Sequence, residues 1–360
     1  MKQLSLIVLG LLLSTQISCA RAQKGFDEVD RLAQKMVRRH PLLVKGAAVY
    51  VARFDGTLLH ESYFGDYDTT TKVPLASASK LVSAVSVMTL IESSQLDPHA
   101  PVSAYLGAFA ESKVGAPKSG ITVDQMYSMT SGFEGETGAG TILGRKRMTL
   151  EQAVNHIACC VDLVAKPGSE FRYSGYGMHI AGRICEVLSG KPFDAFYNDA
   201  VNQKLGTDIT WDGLGETQNF RPSGGGAATL HDYARVLHLV ANKGTVGGVT
   251  LYSAKLGETM FTERTKGLPR ADLPPDAETS DVGYAFGMWV EERDELGNPV
   301  VVSSPGAFGY TPWIDFEDGY VGIIMVKGIR QRLLTDLNGI RAAVDEAVRA
   351  LPESEVPAAE

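Results

Sequence analysis

A chain of 360 residues is too long for one small module and short for three domains, so a single composite or two-lobed, enzyme-sized unit is expected. At 44% hydrophobic residues it can bury a sizeable core. A formal charge of −8, without any basic stripe, argues against nucleic acid as a partner.

The first residues read as an export signal, residues 1–22. Lys2 gives the positive start, residues 4–13 the apolar run, and Ala20-Arg21-Ala22 a small-x-small cleavage site before Gln23. That run is short for a membrane span, and no later segment is long and apolar enough for one. The expectation is an exported protein, periplasmic or secreted. The alternative is a lipoprotein modified at Cys19, although Gln16 stands where such sites favour an aliphatic residue. Cleavage leaves Cys159, Cys160 and Cys185, an odd number that allows one bridge and one spare thiol. A bridge from the vicinal pair to Cys185 and a set of free buried thiols both fit. No cysteine or histidine has metal-ligand spacing, so neither a metal nor any other cofactor is expected.

Residues 26–39 place Phe26, Val29, Leu32 and Met36 on one side of a helix. Strand-like runs at 46–52 and 58–64 are joined by Phe54-Asp55-Gly56-Thr57, a hairpin signal. From 75 to about 244, helical patches at 150–157, 177–188 and 231–241 alternate with Gly/Pro/Ser-rich loops. His231 and His238, seven apart on the last patch, share a helical face, which favours a structural role for both. After a polar stretch at 267–281, strand runs return at 284–291, 299–303, 310–316 and 320–326, the last two joined by Glu317-Asp318-Gly319. An amphipathic helix at 333–351 precedes an acidic tail, 352–360, with the composition of a disordered segment. The expected fold class is α+β: an antiparallel sheet built from both termini, flanked by the N- and C-terminal helices, with an inserted all-α lobe. Residues 23–75 and 246–351 would form the sheet-bearing lobe and 76–245 the helical one, with a cleft between them.

The chemistry concentrates in four places. Ser77 and Lys80 lie three apart at the start of an apolar helix running to about Ile91, hence on one face. A desolvated lysine has a depressed pKa and can take the serine proton, and the helix N-terminus favours developing negative charge. Alone, S-x-x-K is more often an N-cap serine and a surface lysine. Pro167-Gly168-Ser169-Glu170-Phe171-Arg172-Tyr173-Ser174-Gly175-Tyr176-Gly177 presents two tyrosines before a helix. A tyrosine whose pKa is lowered by a lysine can relay protons, though buried tyrosines more often simply pack. Ser304-Pro305-Gly306-Ala307-Phe308-Gly309 would let substrate approach a strand, with an N–H completing an oxyanion hole; a strand bend is the plain alternative. Gln125-Met126-Tyr127-Ser128-Met129-Thr130-Ser131-Gly132-Phe133 is either a helix stop or a loop shaping the cleft.

In this order, over about residues 26–351, these features resemble the serine β-lactamase and penicillin-binding protein superfamily, nearest to class C β-lactamases and related esterases. Leu75-Ala76-Ser77-Ala78-Ser79-Lys80 is similar to its first motif and Thr130-Ser131-Gly132 to its T-S-G loop. Tyr173-Ser174-Gly175 looks like its Y-x-N region. Leu96-Asp97-Pro98 through Tyr105-Leu106 resembles the loop after the first motif's helix, and Ser223-Gly224-Gly225-Gly226 ahead of Asp232 its later glycine pair. The resemblance implies an α/β sandwich plus an all-α lobe, Ser77 as acylated nucleophile and Lys80 with Tyr173 as acid/base pair. It also implies an oxyanion hole from the N–H groups of Ser77 and Ala307, with Gly306 and Gly175 in substrate-binding positions.

Three departures stand out. Gly175 replaces the asparagine of Y-x-N, Ser304-Pro305-Gly306 replaces K-T-G, and Met129 replaces the usual histidine before T-S-G. A missing charge-assisted bond to a substrate carboxylate is worth about 1.5–3 kcal/mol, one to two decades in binding. The expected function is therefore an esterase-like serine hydrolase acting on small-molecule esters or amides through an acyl-enzyme. A β-lactamase or D-alanyl-D-alanine peptidase is the alternative, and a catalytically inactive binding protein on the same scaffold a third reading. The chain lacks the G-x-S-x-G elbow of α/β-hydrolases and the Gly-Lys-Ser/Thr ending of a phosphate loop.

Overall fold

The computed structural model describes residues 25–110, 118–135 and 141–352. Its main sheet comprises β1 (Gly46–Arg53), β2 (Leu58–Gly65), β3 (Gly283–Tyr284), β4 (Trp289–Arg293), β5 (Pro299–Ser303), β6 (Thr311–Asp315) and β7 (Tyr320–Val326). The spatial order is β2-β1-β7-β6-β5-β4-β3, with every pairing antiparallel. The first strand thus pairs with the last, Tyr50 opposite Ile323.

Alternation of side chains along β1 and β7 divides the core in two. Ala47, Val49, Val51, Tyr320, Ile324 and Val326 face α1 (Asp27–Arg39) and the long C-terminal helix, Arg330–Arg349. Those helices contribute Val29, Ala33 and Met36, and Leu333, Leu337, Ile340 and Val344, at helical spacing. Ala48, Ala52, Val321, Ile323 and Met325 face the helical region instead. There α2 (Ser79–Glu92) is buried on all sides from Ser79 to Met88, its Leu, Val and Ala side chains spread round the helix and the Ser83 and Ser86 hydroxyls bonded back to its own carbonyls. Around it lie α3 (Leu150–Cys160), α4 (Tyr176–Ser189) and α5 (Leu230–Ala241). The C-terminal helix is α6.

The α+β expectation holds, and the strands at 46–52, 58–64, 299–303 and 320–326 agree with it to within a residue. The single strand expected over 284–291 is instead two, β3 and β4. Gly287 between them has φ +81°, its N–H bonds to the Tyr127 carbonyl, and a Cβ there would lie 2.8 Å from that of Ala84. The apolar run therefore turns inward against α2. The cysteines also differ from both expectations: Cys159 and Cys160 are bonded to each other, while Cys185 is a free thiol. Cys185 is buried within α4, whereas the vicinal pair is exposed at the end of α3. The expected export signal, Cys19 and nearly all of the acidic tail lie outside the described residues. Among the described residues no helix is long and apolar enough to cross a membrane.

Candidate active site

Ser77 occupies a single 3₁₀ turn, Ala76–Ala78, that leads directly into α2. The turn is fixed from three sides. The Leu75 N–H donates to the Gly226 carbonyl at 2.8 Å, the Gly226 N–H donates to Ser79 Oγ at 2.9 Å, and Tyr233 on α5 donates to the Ala78 carbonyl at 2.9 Å. This assigns Gly226, the last of the glycines at 224–226, a clamping role on the first motif. Ala76 sits at φ +47°, a conformation costly for a residue with a Cβ and held here by its surroundings.

The Lys80 amine lies 3.1 Å from Ser77 Oγ and donates to the Ser223 carbonyl at 2.7 Å. The side chain is almost wholly buried, and burial holds its pKa well below that of an ordinary lysine; repulsion from Arg221 adds to this. An amine driven toward its unprotonated form beside a hydroxyl can act as a base toward it.

Tyr173 stacks on Trp289, ring centroids 5.0 Å apart, and meets Tyr284 edge-on at 6.0 Å. The Lys80 amine lies over its ring face, 4.7 Å from the centroid. The expectation of a lowered phenol pKa fails: burial pushes it up to about 12, against hydrogen bonds with Ser77 and Trp289 that act to lower it. The lysine meets the ring face and is itself driven towards neutrality, so it supplies little charge to stabilise a phenolate. Tyr173 is therefore protonated at neutral pH.

A cleft of about 600 Å³ opens beside these groups, lined by Ser77, Tyr173, Trp289, Pro305, Ala307 and Arg330 among others. No backbone acceptor takes the N–H of Ser77 or of exposed Ala307 among the described residues, which leaves both for an oxyanion. Gly306 has a different part from the expected one. Its N–H bonds to the Tyr310 carbonyl at 2.8 Å, and a Cβ there would lie 2.1 Å from the Leu75 carbonyl. It lets the strand end close onto the Ser77 turn. Gly175 is buried and caps α4, its carbonyl accepting from the His179 N–H at 3.1 Å, and it is not among the residues lining the cleft. Ser304, in the cation's place, is buried with its hydroxyl 3.4 Å from the Ser77 carbonyl.

The T-S-G loop supports rather than lines. Thr130 and Met129 carbonyls accept from Gly168 and Arg172 at 2.8 and 2.9 Å, holding up the segment that carries Tyr173. One expectation about metals also needs correction. His156, Cys159 and Cys160 bring potential ligand atoms within 4.8 Å of one another, because one helical turn joins them. With the two sulfurs bonded to each other, no thiolate is free to bind.

Sequence reading missed the far wall of the cleft. A strap containing a short helix, Pro275–Glu278, faces the start of α6. Arg330 pairs with Asp276 at 3.1 Å, and Arg341 with Glu291 at 2.5 Å. The strap is anchored by Arg270, which donates to the Ser280 and Ala277 carbonyls at 2.7 Å, and by Asp272, 2.5 Å from Arg172 beside Tyr173. The only signal was a polar, proline-bearing stretch.

A sheet closed by both chain ends, an inserted helical lobe and a serine–lysine pair at their junction define the β-lactamase and transpeptidase-like class of hydrolase folds. The chain belongs to the β-lactamase family, whose model matches residues 30–336. A candidate β-lactamase from Bacteroides dorei DSM 17855 superposes with a TM-score of 0.77 at 25% identity, over 90% of this chain and 99% of that one. EstCE1, a hydrolase with promiscuous acyltransferase activity, superposes with a TM-score of 0.73 at 21% identity over 90% and 99%. Protein flp of Staphylococcus aureus (strain NCTC 8325 / PS 47) is 23% identical over 164 residues, 44% of this chain. The chain spans about a third of that curated relative's length, 32%.

Proposed function

We propose that this protein is a serine hydrolase that cleaves small activated esters through an acyl intermediate on Ser77, with weak or no β-lactam turnover. The observation that carries the reading is the buried Lys80 amine 3.1 Å from Ser77 Oγ. Lys80 takes the hydroxyl proton as Ser77 attacks the carbonyl, and the N–H groups of Ser77 and Ala307 receive the oxyanion. Tyr173 passes a proton to the leaving alcohol, and water then releases the acyl group by the same steps in reverse. The esterase preference is supported by Ser304, a neutral buried hydroxyl where a cation would pair with a β-lactam or peptide carboxylate. It is also supported by Gly175, which brings no amide.

The test is kcat/KM for 4-nitrophenyl butyrate against nitrocefin, with Ser77→Ala alongside. Preference for the ester, abolished in Ser77→Ala, is expected. A strong preference for nitrocefin overturns the substrate class, and unchanged ester turnover in Ser77→Ala overturns the mechanism.

A further inference from the structure

The cleft wall opposite Ser77 carries two guanidinium groups, and the chain's own carboxylates hold both. Arg341 pairs with Glu291 at 2.5 Å and lies over the Trp313 ring, 5.2 Å from its centroid, so it is packed deep in the wall. Arg330 is placed differently. Its backbone N–H donates to the Ala307 carbonyl at 2.9 Å, which ties it to the residue offering an oxyanion N–H. Its guanidinium reaches Thr311 Oγ1 at 3.2 Å and Asp276 Oδ2 at 3.1 Å. Asp276 and Arg330 are near enough to Tyr173 to act on its phenol in opposite directions. Arg330 is the cleft cation nearest the reacting groups by chain connection, and it is already neutralised.

A substrate carboxylate entering this cleft meets a guanidinium whose partner is built in. It must displace Asp276 or lie beside it, and two carboxylates sharing one cation repel. Displacement is opposed because Arg270 pins the strap just after Asp276, at the Ala277 and Ser280 carbonyls, and the Ser280 hydroxyl donates back to the Asp276 carbonyl at 3.3 Å. An uncharged acyl group meets no such penalty, and Pro274, Pro275, Val282 and Leu334 offer it apolar wall. We propose that Asp276 sets the charge preference of the cleft: it acts as an internal carboxylate on Arg330 and directs the enzyme to uncharged esters. This rests on the acyl-Ser77 reading above.

The experiment compares 4-nitrophenyl butyrate with mono-4-nitrophenyl succinate, which differs chiefly in ending its acyl chain with a carboxylate. The readout is the succinate-to-butyrate ratio of kcat/KM within each protein. Wild type should favour butyrate. Asp276→Asn should raise the ratio about ten- to a hundredfold, the worth of a charge-assisted pair. Asp276→Glu should keep the wild-type ratio, and adding Arg330→Gln to Asp276→Asn should remove the gain. A wild-type preference for succinate overturns the inference without any variant. So does a flat ratio in Asp276→Asn, or a gain that survives loss of Arg330. Fluorophosphonate labelling of Ser77 separates the two failures. An unlabelled wild type sinks the acyl-enzyme reading itself, and a labelled set with a flat ratio sinks only the role of Asp276.

Discussion

The molecule has a larger cavity than the one beside Ser77, and it holds two histidines. A crevice of about 870 Å³ lies between α5 and the β1–β2 hairpin, against about 600 Å³ for the cleft. Size and a wealth of titratable groups would favour the crevice. Its two histidines, however, each engage a neighbour: His231 Nε2 meets Glu61 Oε1 at 2.9 Å, and His238 Nε2 meets the Tyr50 hydroxyl at 3.0 Å. Burial lowers the His238 pKa and raises that of Tyr50 to about 12, so neither is charged at neutral pH. These pairs stitch a helix to a sheet. In the cleft the balance is reversed, since Ser77 and Lys80 point at each other and two N–H groups stay unspent. Unspent backbone donors beside a serine–lysine pair, rather than volume, single out the cleft as the candidate active site.

The largest effect that would sharpen this contrast is expected at Lys80. Lys80→Ala should lower the acylation rate by about three decades or more, because a coupled nucleophile–base unit fails as a whole. Its pH profile follows from the same residue. The amine must be unprotonated to act and burial depresses its pKa, so stopped-flow rates should hold to well below the pH at which an exposed lysine protonates and fall as pH drops through the depressed value. An acylation rate that needs alkaline pH would show an ordinary, exposed-type lysine and break the assignment.

Next comes Tyr173→Phe, for which a loss of about a hundredfold in kcat/KM is expected, within the usual range for a general acid. The phenol stays protonated to about 12, so wild type should show no alkaline loss from this group at lower pH. Near-normal turnover in the variant would assign leaving-group protonation to water. The smallest effect is expected in the other cavity. His231 is exposed and its imidazole pairs with Glu61 on the hairpin rather than with the Ser77 turn, so His231→Gln should keep ester kcat/KM within about twofold. A tenfold loss would give the crevice a part in turnover.

Much of this was legible because it is local. Three-residue spacing set Ser77 against Lys80, and Asp-Gly turns set the hairpins at 54–57 and 317–319. Partners distant in sequence were not legible. Arg330 and Asp276 are 54 residues apart, joined only when the strap folds across α6. Gly306 was read as room for substrate, but the backbone it admits belongs to Leu75, far along the chain. The sign of the Tyr173 shift was missed for the same reason. Trp289 and Tyr284, which bury it, come from strands over a hundred residues later. Periodicity reads one element at a time, and these facts belong to pairs.

The pairing of β1 with β7 also governs how the chain is made. At 5–20 residues per second, roughly tens of seconds separate synthesis of Tyr50 from that of its partner Ile323. Throughout that interval the β1–β2 hairpin presents an unpaired edge rich in Ala, Val and Tyr, the kind of edge that recruits other chains. The intervening helices, with shorter-range contacts, can form while the sheet waits. A nascent chain stalled before residue 320 would leave that edge uncovered, so chains truncated there should aggregate more readily than the full-length protein.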